Sequence, residues 1–188
     1  MIDIVFPNGN EKEFIEIAKR LDYSGLCFIY KNPKKFEPKS DLSVYSGIVC
    51  KNKIKKADFV LLESNNRALI KKSPNAIFNI EGTRDFIHQR DSGLNHVICK
   101  EMHKYGVAYA VPFSNILNSD DKGRLIGRIM QNIRLCKKYK VNILIASFAH
   151  KPYEMRNPKD LIAFARTLRL QKPLILKTQI KYKEKKED

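Results

Sequence analysis

The chain has 188 residues, enough for one domain with a sizeable core, and its 43% hydrophobic content with eight glycines and eight prolines excludes disordered and collagen-like classes. A formal net charge of +16 would repel itself in a compact monomer, so it points to a polyanionic partner, with nucleic acid the first candidate. No run approaches the ~20 apolar residues of a membrane-spanning helix, and Met1 leads straight into the strand-like IDIVF instead of a leader, so a cytoplasmic protein is expected.

Ile2 to Phe6 reads as a buried strand, and Pro7 to Asn10 as a turn into a helix with Phe14, Ile15, Ala18 and Leu21 on its inner face. Gly25 to Tyr30 is a second strand, Lys31 to Lys39 a polar loop, Leu42 to Lys51 a third strand and Asp58 to Glu63 a fourth. Asn66 to Lys72 forms a short helix, and Ala76 to Ile80 a fifth strand. A polar, basic loop follows, in which Arg84, His88 and Arg90 offer donors to phosphate oxygens. It opens into a helix over residues 93–105, whose stripe of Leu94, Val97, Ile98, Met102 and Tyr105 turns His96, Lys100 and His103 outward. Asp91 or Ser92 is expected to cap its start and Gly106 its end.

Val107 to Phe113 is a sixth strand, and PFSNILNSDDKG is expected to be a loop whose two acids sit at the start of the next helix. That helix, Arg124 to Tyr139, has an apolar face through Ile129, Ile133 and Cys136 and a nearly pure cationic face through Arg124, Arg128, Arg134 and Lys138. Asn142 to Phe148 is the seventh strand, and Asn157-Pro158 caps a last helix with Leu161, Ile162, Ala165 and Leu168 inside. Leu174 to Thr178 is expected as an eighth strand; a single domain over residues 1–176 leaves a solvated, charged tail at 177–188.

Short continuous apolar strands alternating with amphipathic helices mark a parallel sheet covered on both faces. Seven such units in a chain this short favour a compact βα barrel over a doubly wound sheet. Charge is unevenly placed along it. Residues 1–50 balance seven acids against seven Lys or Arg, whereas residues 122–177 hold fourteen basic residues against Glu154 and Asp160. The cysteines Cys27, Cys50, Cys99 and Cys136 have no CxxC spacing and are expected to be reduced and partly buried. GxSxG elbows and glycine-rich phosphate loops are absent. The tyrosines do not cluster as in a single-strand RNA reader, so structured RNA, contacted through phosphates and 2′-hydroxyls, is the better fit.

The run RDSGLNHVICKEMHKYGVAYAVPFSNIL from Arg90 resembles a segment of the archaeal and eukaryotic ribonuclease P protein subunit called component three in archaea. Asp3 on the first strand, SGLCFIY from Ser24, DFVLLES from Asp58 and ILIASFAHKPYEMRNPKDLIAFARTL from Ile143 follow the family's order and spacing, so the likeness spans most of residues 1–171. DSGLNH is its specific part. The resemblance implies a TIM-like (β/α) barrel, incomplete or distorted, related to the PHP phosphoesterase scaffold. It also implies a subunit of the ribonuclease P holoenzyme, which removes the 5′ leader from precursor tRNA.

In such an assembly the RNA carries the active site, so the subunit is expected to have no catalytic residue and no metal, with Mg²⁺ needed only by the RNA. Its implied partners are the ribonuclease P RNA, protein component two by direct pairing, and the other protein subunits. Arg84, Arg90 and His96 are the first expected RNA contacts, followed by Lys100, Arg124 and Arg128; Asn95 and His96 could equally serve to order the loop. Two other readings are a surviving metal-dependent phosphoesterase and a basic scaffold that binds only proteins. The first needs a His and Asp cluster at strand ends. The chain has only His88, His96, His103 and His150, no HxH pair, and Asp3-Ile4-Val5 where a first-strand pair would sit.

Overall fold

A computed structural model describes residues 1–32, 42–81, 91–171 and 173. Its strands β1 (Ile2–Val5), β2 (Gly25–Tyr30), β3 (Ser43–Cys50), β4 (Phe59–Leu62), β5 (Ala76–Ile77), β6 (Ala108–Pro112) and β7 (Ile143–Ala146) form one sheet in sequential order, all neighbours parallel. The connections carry helices α1 (Glu11–Arg20), α2 (Arg67–Ile70), α3 (His96–Tyr105), α4 (Phe113–Leu117) and α5 (Lys122–Lys138), and α6 (Pro158–Thr167) follows β7.

The two edges of the sheet meet. A parallel bridge joins Val5 to Ala149, and the Phe6 amide donates to the Ala149 carbonyl at 2.8 Å. On the same seam the buried Asp3 carboxylate accepts from the Ser147 amide at 2.8 Å and from the Ser147 hydroxyl, so a side chain holds the edges together beyond the short bridge. The result, among the described residues, is a nearly closed, distorted TIM-like barrel of seven strands.

Alternation within the continuous apolar strands divides two cores, because successive side chains leave opposite faces of a strand. Ile4, Ile29, Leu61, Phe78, Leu144 and Phe148 fill the barrel interior. Ile48, Val60, Ile77, Tyr109, Val111 and Ile145 point outward to meet the stripes of α3 and α5. α1 covers a separate patch over Val5, Leu26 and Phe28 with Phe14, Ile15 and Ala18, the inner face expected for it.

Three local expectations change. β5 ends at Ile77, not Ile80, because Asn79 takes a φ of 53°, which no strand allows, and Ile80 and Glu81 leave the sheet. The segment after β6 is not a plain loop: Phe113–Leu117 forms α4, burying Ser114 and Ile116 with the Ser114 hydroxyl on the Phe148 carbonyl at 2.6 Å. Neither Asp91 nor Ser92 caps α3. Asn95 does, its Oδ1 accepting from the amides of Val97 at 3.0 Å and Ile98 at 2.9 Å, while Gly106 ends the helix at φ 68° as expected. Asp121 caps α5 on the Arg124 amide and Asn157 caps α6 on the Lys159 amide. Residues 174–178, 177–188 and the loop centred on Arg84 and Arg90 lie outside the described residues.

Candidate nucleic-acid interface

The DSGLNH segment, Asp91 to His96, is built to deliver the chain into α3. Asp91 Oδ1 accepts from the Gly93 amide at 2.9 Å, closing a side-chain turn. Gly93 has φ +87°, and a Cβ there would stand 1.9 Å from the Ile80 carbonyl oxygen, so only glycine fits the crossing. Its own carbonyl accepts from Asn65 Nδ2 at 2.9 Å. Leu94 is buried, Asn95 caps the helix, and His96 is exposed at the first helical position. Most of the motif therefore holds the backbone, and His96 is the side chain it presents.

A buried polar cluster fixes both flanks of residues 82–90 to α5. Asn132 Nδ2 donates to the Ser92 carbonyl at 2.8 Å and to Glu81 Oε1 at 3.3 Å, while Arg128 Nη1 donates to the Glu81 carbonyl at 2.8 Å. The Tyr109 hydroxyl also donates to Glu81 Oε1. Burial raises the Glu81 carboxyl above the usual range, against the opposing hydrogen bond from Tyr109; burial and the adjacent carboxylate in turn raise Tyr109 well above its ordinary value. Nearby, the buried thiols of Cys99 and Cys136 meet between α3 and α5, which raises Cys136 through its hydrogen bond with Cys99.

The expected contacts thus separate by position. His96 and Lys100 are exposed on α3, and Arg124 is exposed on α5 with its Nε 3.1 Å from Asp121. Arg128 is half-buried, and its Nη1 is bonded to the Glu81 carbonyl, so this side chain also holds the joint together. Arg84 and Arg90 lie outside the described residues. α3 and α5 pack side by side, and α5 holds no acidic residue from Lys122 to Lys138, so their outward faces present exposed Lys100, Arg124, Arg134 and Lys138 together. His103, exposed, has Nδ1 3.0 Å from the Lys140 carbonyl. Asn132 was not anticipated, although a lone amide inside the Ile129, Ile133, Cys136 stripe is the kind of signal that marks a buried polar joint.

The C-terminal ends of the strands surround a cleft of about 780 Å³, where barrels of this kind carry their reactions. Its residues do not suit a metal-dependent phosphoesterase. Glu63 is ion-paired to Lys51 at 2.9 Å and bonded by Asn79 at 2.6 Å, and His150 lies flat on Phe6 with ring centroids 4.7 Å apart. Asp3 belongs to the seam, not the cleft. Among the described residues no group of three His, Cys, Asp or Glu side chains is placed to hold an ion.

The sequence matches the family described as RNase P subunit p30 over residues 6–173. It is 28% identical to ribonuclease P protein component 3 of Methanocaldococcus jannaschii, with 84% of this chain and 78% of that protein covered. Against ribonuclease P protein component 3 of Methanothermobacter thermautotrophicus the identity is 23%, with 79% and 71% covered. Its fold is similar to a chain in the cryo-EM structure of archaeal ribonuclease P with mature tRNA, at a TM-score of 0.70 and 24% identity, covering 89% of this chain and 83% of that one. A histidinol phosphate phosphatase from Lactococcus lactis, solved with zinc, L-histidinol and phosphate, shares the fold at a TM-score of 0.56 and 10% identity, with 89% and 91% covered.

Proposed function

The chain belongs to the RNase P subunit p30 family, and from that membership we propose how it serves the enzyme. It is a protein subunit of ribonuclease P, acting in tRNA 5′ processing as part of an endoribonuclease holoenzyme with RNA. Within that assembly it binds and stabilises the catalytic RNA, pairs directly with component two, and itself contributes no catalytic group or metal; Mg²⁺ serves the RNA active site.

The observation that carries this reading is the cationic face of α5, a helix without an acid from Lys122 to Lys138, beside α3, with the flanks of residues 82–90 pinned to α5. Lysine and arginine at that density suit a folded phosphate backbone, whereas a protein-only scaffold gains nothing from so large an excess of one sign of charge. No helix among the described residues is long and apolar enough to cross a membrane.

Binding of ribonuclease P RNA, measured with component two present at several salt concentrations, tests the reading. The Arg84→Ala, Arg90→Ala double variant and the Arg124→Ala variant should each bind more weakly, with the slope of log K against log salt flattened by about 0.9 per lost phosphate contact. Unchanged affinity and slope in all of them would remove these three arginines from the RNA interface. Sedimentation of the two proteins mixed at micromolar concentration tests the pairing; independent boundaries would count against it.

A further inference from the structure

The cleft at the barrel mouth has a composition that neither the α3 and α5 surface nor the phosphoesterase chemistry explains. Its floor is an aromatic column. Phe78 stacks on Phe148 with centroids 5.8 Å apart and on Phe6 at 6.2 Å, and His150, which is exposed, continues the column over Phe6 at an interplanar angle of 8°. One wall is a chain of amides and charges: Lys51 to Glu63 at 2.9 Å, Asn79 Nδ2 to Glu63 Oε1 at 2.6 Å, and Asn115 Nδ2 to Asn79 Oδ1 at 3.2 Å. Lys31, exposed at the end of β2, adds a cation at the rim with no second acid among the described lining residues.

Two non-glycine residues at this cleft sit in the left-handed region: Asn79, which lines it, at φ 53°, and the fully buried Phe148, which stacks on the lining Phe78, at φ 52°. A bulky aromatic residue adopts that conformation only where its surroundings force it, and such strain gathers at ligand sites. About 780 Å³ is within the range of small-ligand pockets.

We propose that the barrel mouth binds one nucleotide, its base stacked on the Phe6 and His150 end of the aromatic column, its edge facing Asn79 and Asn115, and its phosphate at Lys31. A flat aromatic ligand uses the column, amides offer both a donor and an acceptor to a base edge, and a cationic rim takes the phosphate. The same chemistry fits a free nucleotide and an unpaired nucleotide of RNA. The ribonuclease P reading supplies the source, an unpaired nucleotide of RNA, and the inference rests on that reading for the source alone.

The intact protein is titrated with the four nucleoside 5′-monophosphates, with a single-stranded RNA hexamer and with inorganic phosphate, followed by amide NMR shifts and calorimetry. The hexamer should bind with shifts at Asn79 and Asn115 and outcompete the monophosphates. His150→Ala should weaken it roughly 5- to 100-fold, the scale of one base on one ring, and Lys31→Ala should flatten its salt dependence. Arg20→Ala, at the far end of the barrel, should change nothing.

Absence of binding by every nucleotide probe, or phosphate competing as well as a nucleotide, would overturn the site. Binding of monophosphates but not the hexamer would overturn the RNA source. Because these titrations contain no ribonuclease P RNA and no component two, they fail separately from the α3 and α5 interface.

Discussion

Gly93→Ala isolates what the signature segment does. At φ +87° an alanine bears a left-handed penalty of about 1 to 2 kcal/mol, and its Cβ would meet the Ile80 carbonyl oxygen at 1.9 Å. That neighbour is backbone, held by the same joint that carries Glu81, so the contact is relieved only by displacing the exit of β5 or the entry to α3. A total loss of roughly 3 to 5 kcal/mol follows, in the range where single substitutions become severe. Gly106→Ala is the internal control. It has a similar φ of +68° but nothing within 4 Å of an added Cβ, so it should lose only about 1 kcal/mol. For a chain of this length about 1 kcal/mol shifts Tm by roughly 2 to 4 °C, so thermal unfolding should separate the two variants by about 4 °C or more. Urea unfolding gives the same comparison in free energy. Equal losses for the two glycines would refute the steric argument and leave only the left-handed backbone as the reason for glycine at position 93.

Asn132→Leu should cost about 2 to 4 kcal/mol in urea unfolding, because the buried Glu81 carboxyl and Ser92 carbonyl lose a donor; a loss under about 0.5 kcal/mol would show that the joint is not stressed. Arg128→Ala should lower stability by about 1 kcal/mol along with RNA affinity, whereas Arg124→Ala should lower affinity alone; equal stability of the two variants would contradict the structural place given to Arg128. Burial raises the Asp3 carboxyl to about 6, against the opposing hydrogen bonds from Ser147. The folded state thus holds a proton that an unfolded aspartate near 3.9 releases, so this group favours folding more as pH falls from about 7 to about 4. Relative to Asp3→Asn, wild type should gain about 2 to 3 kcal/mol over that window, and a difference independent of pH would dismiss the assignment.

Local patterns were enough to read the strands, the stripes of α1, α3, α5 and α6, and the outward positions of His96, Lys100 and Arg124, because apolar runs and a 3.6 period report burial directly. The resemblance added the barrel and the ribonuclease P subunit. Periodicity set Arg124 and Arg128 on one cationic face, yet only the fold separates them: the Glu81 carbonyl that engages Arg128 lies 47 positions earlier in the chain. The same distance problem hid the roles of the asparagines. Asn95 and Asn132 are alike in sequence chemistry, but one caps the first turn of its own helix and the other ties together residues from β6 and both flanks of residues 82–90.

Asp3, which stands where a metal ligand would be sought, closes the seam because Ser147, 144 positions away, arrives beside it when β7 returns to β1. The mouth likewise gathers Phe6, Lys31, Glu63, Asn79, Asn115 and His150 from six different connections. Sequence determines burial through neighbours three or four residues apart. Which polar group meets which is settled only when a parallel barrel brings the ends of all its strands to one face, since each partner is supplied by a separate crossing of the chain.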